Sequence, residues 1–225
     1  MARLRRLHDV PIPRDSGHGT VAGRDPLRVA FIGDAAAVGY GTVSQQLGVA
    51  AHYARLLSRR DHRGVNWVTA HFPKFTMHRA TELTSHAAFW NDLDRVVVIA
   101  GIGDAVSLMP VGTWTRSLDE MLTTMRSRLP AAATITVAEI PPLELSSSIP
   151  PCVRRLISAH IDDLNRATRT VVDRHQRART VILSEKRVID LSEACDTGVS
   201  GLYLAWARAL LAVDSSGVNG QGESA

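Results

Sequence analysis

The sequence predicts an α/β fold built on a mostly parallel sheet of about five strands. Three observations carry this. Short Val/Ile/Ala-rich runs alternate with amphipathic stretches along the chain. Each stretch between runs is long enough for a right-handed helical crossover, which parallel strands require. Aromatic residues make up only 5% of the chain, so Ala, Val, Leu and Ile must fill the core, as they do where helices pack on a sheet.

The elements follow in order. Arg28-Val29-Ala30-Phe31-Ile32-Gly33 reads as a first strand. Residues 42–58 read as a helix, with Leu47, Ala50, Ala51, Ala54 and Leu57 on one face. Residues 65–70 form a second strand and 76–88 a short helix. Residues 95–100 form a third strand, the most continuously apolar and therefore central. A helix over 114–128 ends before Pro130, and 133–138 is a fourth strand. The Pro- and Ser-rich stretch 141–151 is too long for a mere connector. A long helix over 153–175, a fifth strand at 180–183 and a last helix over 202–213 complete the pattern.

Before this lie Leu4, Leu7 and Val10 at helical spacing, then a Gly-, Ser- and Asp-rich linker over 14–26. The chain thus divides into an N-terminal helix and linker (1–26), one domain (27–214) and a Gly/Ser/Asn-rich tail (215–225).

Composition excludes several classes. Charged residues are 21% and apolar ones 45%, so the chain is neither disordered nor fibrous. No apolar run approaches the roughly 18 residues of a membrane span, and the basic start leads into Val10-Pro11-Ile12-Pro13 rather than a signal-like core. A cytoplasmic location and no membrane partner are expected. Cys152 and Cys195 lack metal spacing and read as free thiols. The net charge of +4 is almost all arginine, Lys74 and Lys186 being the only lysines. The arginines form no dense run and interleave with no aromatics, so no nucleic-acid partner is expected.

In parallel sheets ligands bind beyond the carboxyl ends of the strands. The segments there are Gly33-Asp34-Ala35 through Gly39-Tyr40-Gly41, His71 after the second strand, Gly101-Ile102-Gly103-Asp104 after the third, and Glu139 after the fourth. The last helix carries Tyr203-Leu204-Ala205-Trp206-Ala207. This ordered set, over roughly 27–213, resembles the SGNH/GDSL hydrolase superfamily of esterases, lipases, acyl transferases and deacetylases. The resemblance implies a three-layer, flavodoxin-like α/β/α fold.

It also implies a chemistry. A serine directly after Gly-Asp attacks an acyl carbonyl. A histidine close before the last helix takes its proton, oriented by an aspartate three residues earlier. The serine amide, a glycine after the second strand and an asparagine after the third hold the oxyanion. Carried over by position, the chain departs throughout. Ala35 stands in the serine's place and Gly103 in the asparagine's, with Asp104 retained. Lys74 falls about where the oxyanion glycine lies. Asp196 or Thr197 falls at the histidine position, depending on register, and the last histidine of the chain is His175. The reading is a degenerate member without serine esterase activity. Asp34, Ala35, His71, Lys74, Gly103, Asp104 and Asp196 would line a cleft for a small anionic or acyl ligand, with no cofactor or metal.

Alternatives stay open. Ser44, Ser107 and Ser200 are hydroxyls near strand ends or the last helix, and His71 or His78 with a carboxylate would make a relocated acid/base set. An interaction module with a vestigial cleft is a third reading. The structural reading of the carboxylates has Asp34 binding amides of the loop after the first strand and Asp104 capping the turn after the third. The Gly39-Tyr40-Gly41 turn could cradle a phosphate, although no Walker lysine follows it.

Overall fold

A computed structural model describes residues 13–71, 75–84, 90, 92–145, 149–183, 187–189 and 198–216. Its elements are β1 (His18–Val21), β2 (Leu27–Gly33), α1 (Val49–Asp61), β3 (Val65–His71), α2 (Met77–Thr84), β4 (Arg95–Ile99), α3 (Ile102–Val106), α4 (Val111–Arg128), β5 (Thr134–Ala138), β6 (Leu143–Leu145), α5 (Pro151–Val172), β7 (Ala178–Val181), β8 (Arg187–Ile189) and α6 (Gly198–Ser216).

The main sheet has the order β1-β3-β2-β4-β5-β7. The five strands expected from the sequence are parallel, in the doubly wound order. Strands β2 and β4 are apolar along nearly their whole length because both faces are covered, as parallel strands require. Helices α1 and α6 pack together on one face, and α2, α4 and α5 on the other. Trp114, Leu118, Met121, Leu122 and Met125 of α4 bury one side of that helix completely in the second layer.

Several expectations need correction. Residues 18–21 are not linker: they pair antiparallel with β3 at the sheet edge. Their half-exposed His-Gly-Thr-Val pattern carries no apolar signal of its own, and pairing supplies what composition lacks. The first helix begins at Val49, not Thr42. The Ser44 hydroxyl caps a single 3-10 turn at Gln45–Leu47, and Gly48 precedes the helix proper. The segment around Asp104 forms a short helix, α3, that has too few residues for a periodic pattern. The stretch 141–151 contains β6, which pairs in parallel with β8 as a second, two-stranded sheet. Helix α5 starts at Pro151, proline being well suited to a first turn, and ends at Val172, before His175. The fifth parallel strand lies at 178–181 rather than 180–183. The N-terminal helix expected before Pro11 lies outside the described residues.

Candidate functional site

Glycine at two strand ends brings the candidate segments together. Gly33 adopts φ +152°, and a Cβ there would lie 1.8 Å from the Ile99 carbonyl oxygen. This close approach lets the Asp34 amide donate to that carbonyl at 3.1 Å. Gly101 adopts φ +111°, and a Cβ would strike the Trp114 ring at 2.7 Å and Ile140 at 2.8 Å. Both positions need glycine for space and for conformation.

The two turns are joined through Asp34. Its carboxylate accepts from the Ala36 amide at 2.9 Å, within its own turn, and from the Ile102 amide at 3.3 Å, in the first turn of α3. The first bond is the one the sequence leads one to expect, and the second is a link across the site. Ala35 is half-buried beside it and presents only a methyl group. Gly103 is exposed, and a Cβ added there meets nothing within 4 Å. His71 ends β3, and the strand register sets its backbone beside Gly33. Asp34, Ala35, His71, Gly103 and Asp104 therefore share one end of the sheet. Lys74 and Asp196 lie outside the described residues.

Asp104 does not cap its own turn. It is 1% exposed, and one carboxyl oxygen accepts from the Met77 amide at 3.1 Å, capping α2 from the neighbouring connection. The other oxygen is buried without a hydrogen-bond partner. Burial pushes its pKa up to about 6, against the Met77 hydrogen bond and with the charge of Asp34 adding to the rise. Asp34 and Asp104 are thus carboxyls in contrasting surroundings, one tied to amides and one desolvated. Glu139, behind β5, is also buried; burial raises its pKa against the Arg169 guanidinium, whose Nε lies 3.6 Å away.

The alternative hydroxyls are engaged elsewhere. The Ser44 hydroxyl donates to Asp15 at 2.8 Å, and that of Ser107 to the Asp104 carbonyl at 3.1 Å. Ser200 meets a histidine that sequence reasoning did not connect with it. Its Oγ is 3.1 Å from His52 Nε2, across the α1–α6 interface and 148 residues away in the chain. Only the fold could reveal that pair. Behind the ring, Arg55 Nη1 lies 3.4 Å from Nδ1. Burial and the Arg55 charge lower the His52 pKa, against a hydrogen bond that the ring donates to the Leu47 backbone, which raises it. A triad places a carboxylate there to stabilise the imidazolium; a guanidinium does the reverse. The pair is a helix–helix contact rather than a nucleophile and its base.

The Gly39-Tyr40-Gly41 turn is likewise closed on itself. The amides of Gly39, Tyr40 and Thr42 donate to the carbonyls of Ala36, Ala35 and Gly39, leaving those donors turned away from any phosphate. Helix α6 clamps the turn from above: the Tyr203 hydroxyl donates to the Tyr40 carbonyl at 2.7 Å, and Val199 covers Gly41. Among the described residues no group of three or more His, Cys, Asp or Glu side chains is placed to hold a metal ion.

This architecture is shared with known hydrolases. A lipase from a goat rumen metagenome superposes with a TM-score of 0.64 at 14% identity, over 83% of this chain and 96% of that one. An α/β hydrolase from a metagenome of Lake Arreo, Spain, gives 0.58 at 16% identity, over 86% and 97%. An acetyl xylan esterase from Geobacillus stearothermophilus gives 0.55 at 14% identity, over 84% and 94%. At such identities the likeness establishes the fold: this chain has the three-layer α/β fold of lipases and esterases. No protein-family model and no curated protein sequence matches the chain.

Proposed function

We propose that this chain is an SGNH-type protein whose strand-end site has lost its serine triad and binds a small acyl or anionic ligand instead of hydrolysing an ester. The observation that carries this is Ala35. The turn that would present a nucleophile is built, with Asp34 braced against two amides, yet it presents a methyl group. No histidine follows His175, so none lies between that residue and the last helix at Gly198. Loss of nucleophile or base in a hydroxyl triad costs about 10^6-fold in turnover, and what remains depends on an oxyanion site that here has glycine in the asparagine's place.

The test is restoration. Ala35→Ser, alone and combined with Gly103→Asn, should leave hydrolysis of an aryl acetate at the level of the untouched chain. Gly103 has room for the larger side chain, so a null result is not a packing artefact. Burst kinetics or turnover in Ala35→Ser would refute the reading. A thermal-shift screen with short-chain acyl compounds and small carboxylates tests the binding half: a ligand at 100 times its Kd adds about 2.7 kcal/mol of stability. A screen in which nothing shifts would favour the third reading, an interaction module.

A second reading rests on the register that sets His71 beside Gly33. There the site runs altered acid–base chemistry with His71 and a carboxyl group. Turnover of any ester that survives in the native chain and disappears in His71→Gln would establish it.

A further inference from the structure

The contact between His52 and Ser200 lies where three parts of the fold meet. His52 stands in the first turn of α1 and Ser200 in the first turn of α6, with Oγ 3.1 Å from Nε2. The same start of α6 reaches the candidate site. Val199 covers Gly41, and the Tyr203 hydroxyl donates to the Tyr40 carbonyl at 2.7 Å. The Tyr40 amide in turn donates to the Ala35 carbonyl at 3.0 Å. A continuous chain of contacts therefore runs from His52 through α6 to the turn that carries Ala35.

Only a neutral imidazole suits this position. Arg55 directs Nη1 at Nδ1 from 3.4 Å, and its Nη2 donates to the Gln46 carbonyl at 2.6 Å, which holds the guanidinium in place. An imidazolium carries N–H on both nitrogens, so protonation sets donor against donor and charge against charge. On the other side, the first turn of α6 presents the positive end of a helix dipole, where a cation is disfavoured. Residues 198–202 contain no ionisable side chain to offset it. The ionisable groups on the surrounding elements are occupied or remote. Asp15 is committed to the Ser44 hydroxyl and the Gln45 amide, and His18 on β1 is exposed. His71 ends β3, while Asp61 and Asp214 pair with Arg95 at the far end of α1 and α6. Among the described residues, Arg55 is the one charge that bears on the ring.

We propose that His52, Arg55 and Ser200 form an acid-released clasp. While the ring is neutral it ties α6 to α1; protonation frees the first turns of α6 and, with them, the Gly39-Tyr40-Gly41 turn at the edge of the candidate site. The sign follows from linkage. The ring's affinity for a proton is lowered in the closed form and returns to its ordinary value, 6.5, on opening. The closed form is therefore fully favoured above pH 6.5 and loses stability as pH falls below it. One proton is taken up per opening, so the equilibrium shifts toward the open form by up to about tenfold per pH unit. Acid control of a ligand at that site rests on the binding reading above, whereas the clasp is tested on the chain alone.

Amide hydrogen exchange of the full chain, followed by NMR from about pH 7.5 to about pH 5, tests it. Protection factors, taken against unstructured rates at the same pH, should fall in acid for Leu202 to Trp206 and for Thr42. Those of Val97 and Val98 in β4 should hold. The His52 ring, titrated in the same samples, should lose its proton below pH 6.5. His52→Gln keeps a hydrogen-bonding group but takes up no proton, so its protection at α6 should be independent of pH. Arg55→Met should move the ring's titration back toward 6.5 and flatten the pH dependence. A ring that titrates at or above 6.5 overturns the proposal. So does a folded His52→Gln variant that loses protection in acid as the parent does. Loss of protection in β4 in step with α6 also overturns it, since the whole domain is then unfolding. Should His52→Gln fail to fold, ring titration and exchange in the native chain decide by themselves.

Discussion

Replacing Asp104 with asparagine isolates one carboxyl group whose surroundings are fully specified. The side chain is 1% exposed, gives one oxygen to the Met77 amide and leaves the other without a partner. Its pKa rises from 3.8 to about 6, first through burial. The sign follows from linkage. A carboxyl whose folded pKa is raised binds its proton more tightly in the folded state. Its contribution is fully present below 3.8 and is lost as pH rises through about 6. At roughly 1.4 kcal/mol per unit, ionisation destabilises the native chain by up to about 3 kcal/mol at pH 8. An asparagine at this position would keep an acceptor for the Met77 amide and carry no charge. Urea unfolding followed by tryptophan fluorescence should therefore give similar stability for parent and Asp104→Asn near pH 4. By pH 8 the variant should be more stable by up to about 3 kcal/mol, on the order of 10 °C in Tm for a domain of this size. Parallel pH profiles for the two proteins would refute the assignment of a desolvated carboxyl at this position.

The other expectations are simpler. Arg95→Met should cost about 3–5 kcal/mol, because Asp214, 4% exposed and also bonded to Tyr53, keeps its charge without its ion-pair partner; calorimetry measures it, and a loss below about 1 kcal/mol would show the cluster to be hydrated. Gly33→Ala should destabilise by several kcal/mol or prevent folding, since the methyl would overlap the Ile99 carbonyl in a backbone region unsuited to alanine, and soluble yield with circular dichroism reads the result. Asn165→Leu should cost about 2–5 kcal/mol by leaving both the amide and the carbonyl of Ile140 unpaired, measured by urea midpoint.

The parallel strands and the longer helices were legible because each writes its own pattern. Val96, Val97, Val98 and Ile99 form a continuous apolar run because the strand is covered on both faces, and α4 repeats its core residues at helical spacing. The strand-end turns were legible too, since Gly33 and Gly101 mark places where the backbone needs glycine and Asp34 bonds a neighbour two residues on. Elements held by distant partners escaped. Strand β1 exists through pairing with β3, and α3 is too short to show a period. Ala35 and the absence of any histidine after His175 are facts of sequence alone, and they carry the proposed loss of a triad. Only the tertiary structure decided that Asp104 caps α2 rather than its own turn and that Ser200 meets His52 with an arginine behind it. The reason is range: periodicity and turn chemistry act over a few residues, whereas charge, burial and the composition of a surface depend on groups that folding brings together from across the chain.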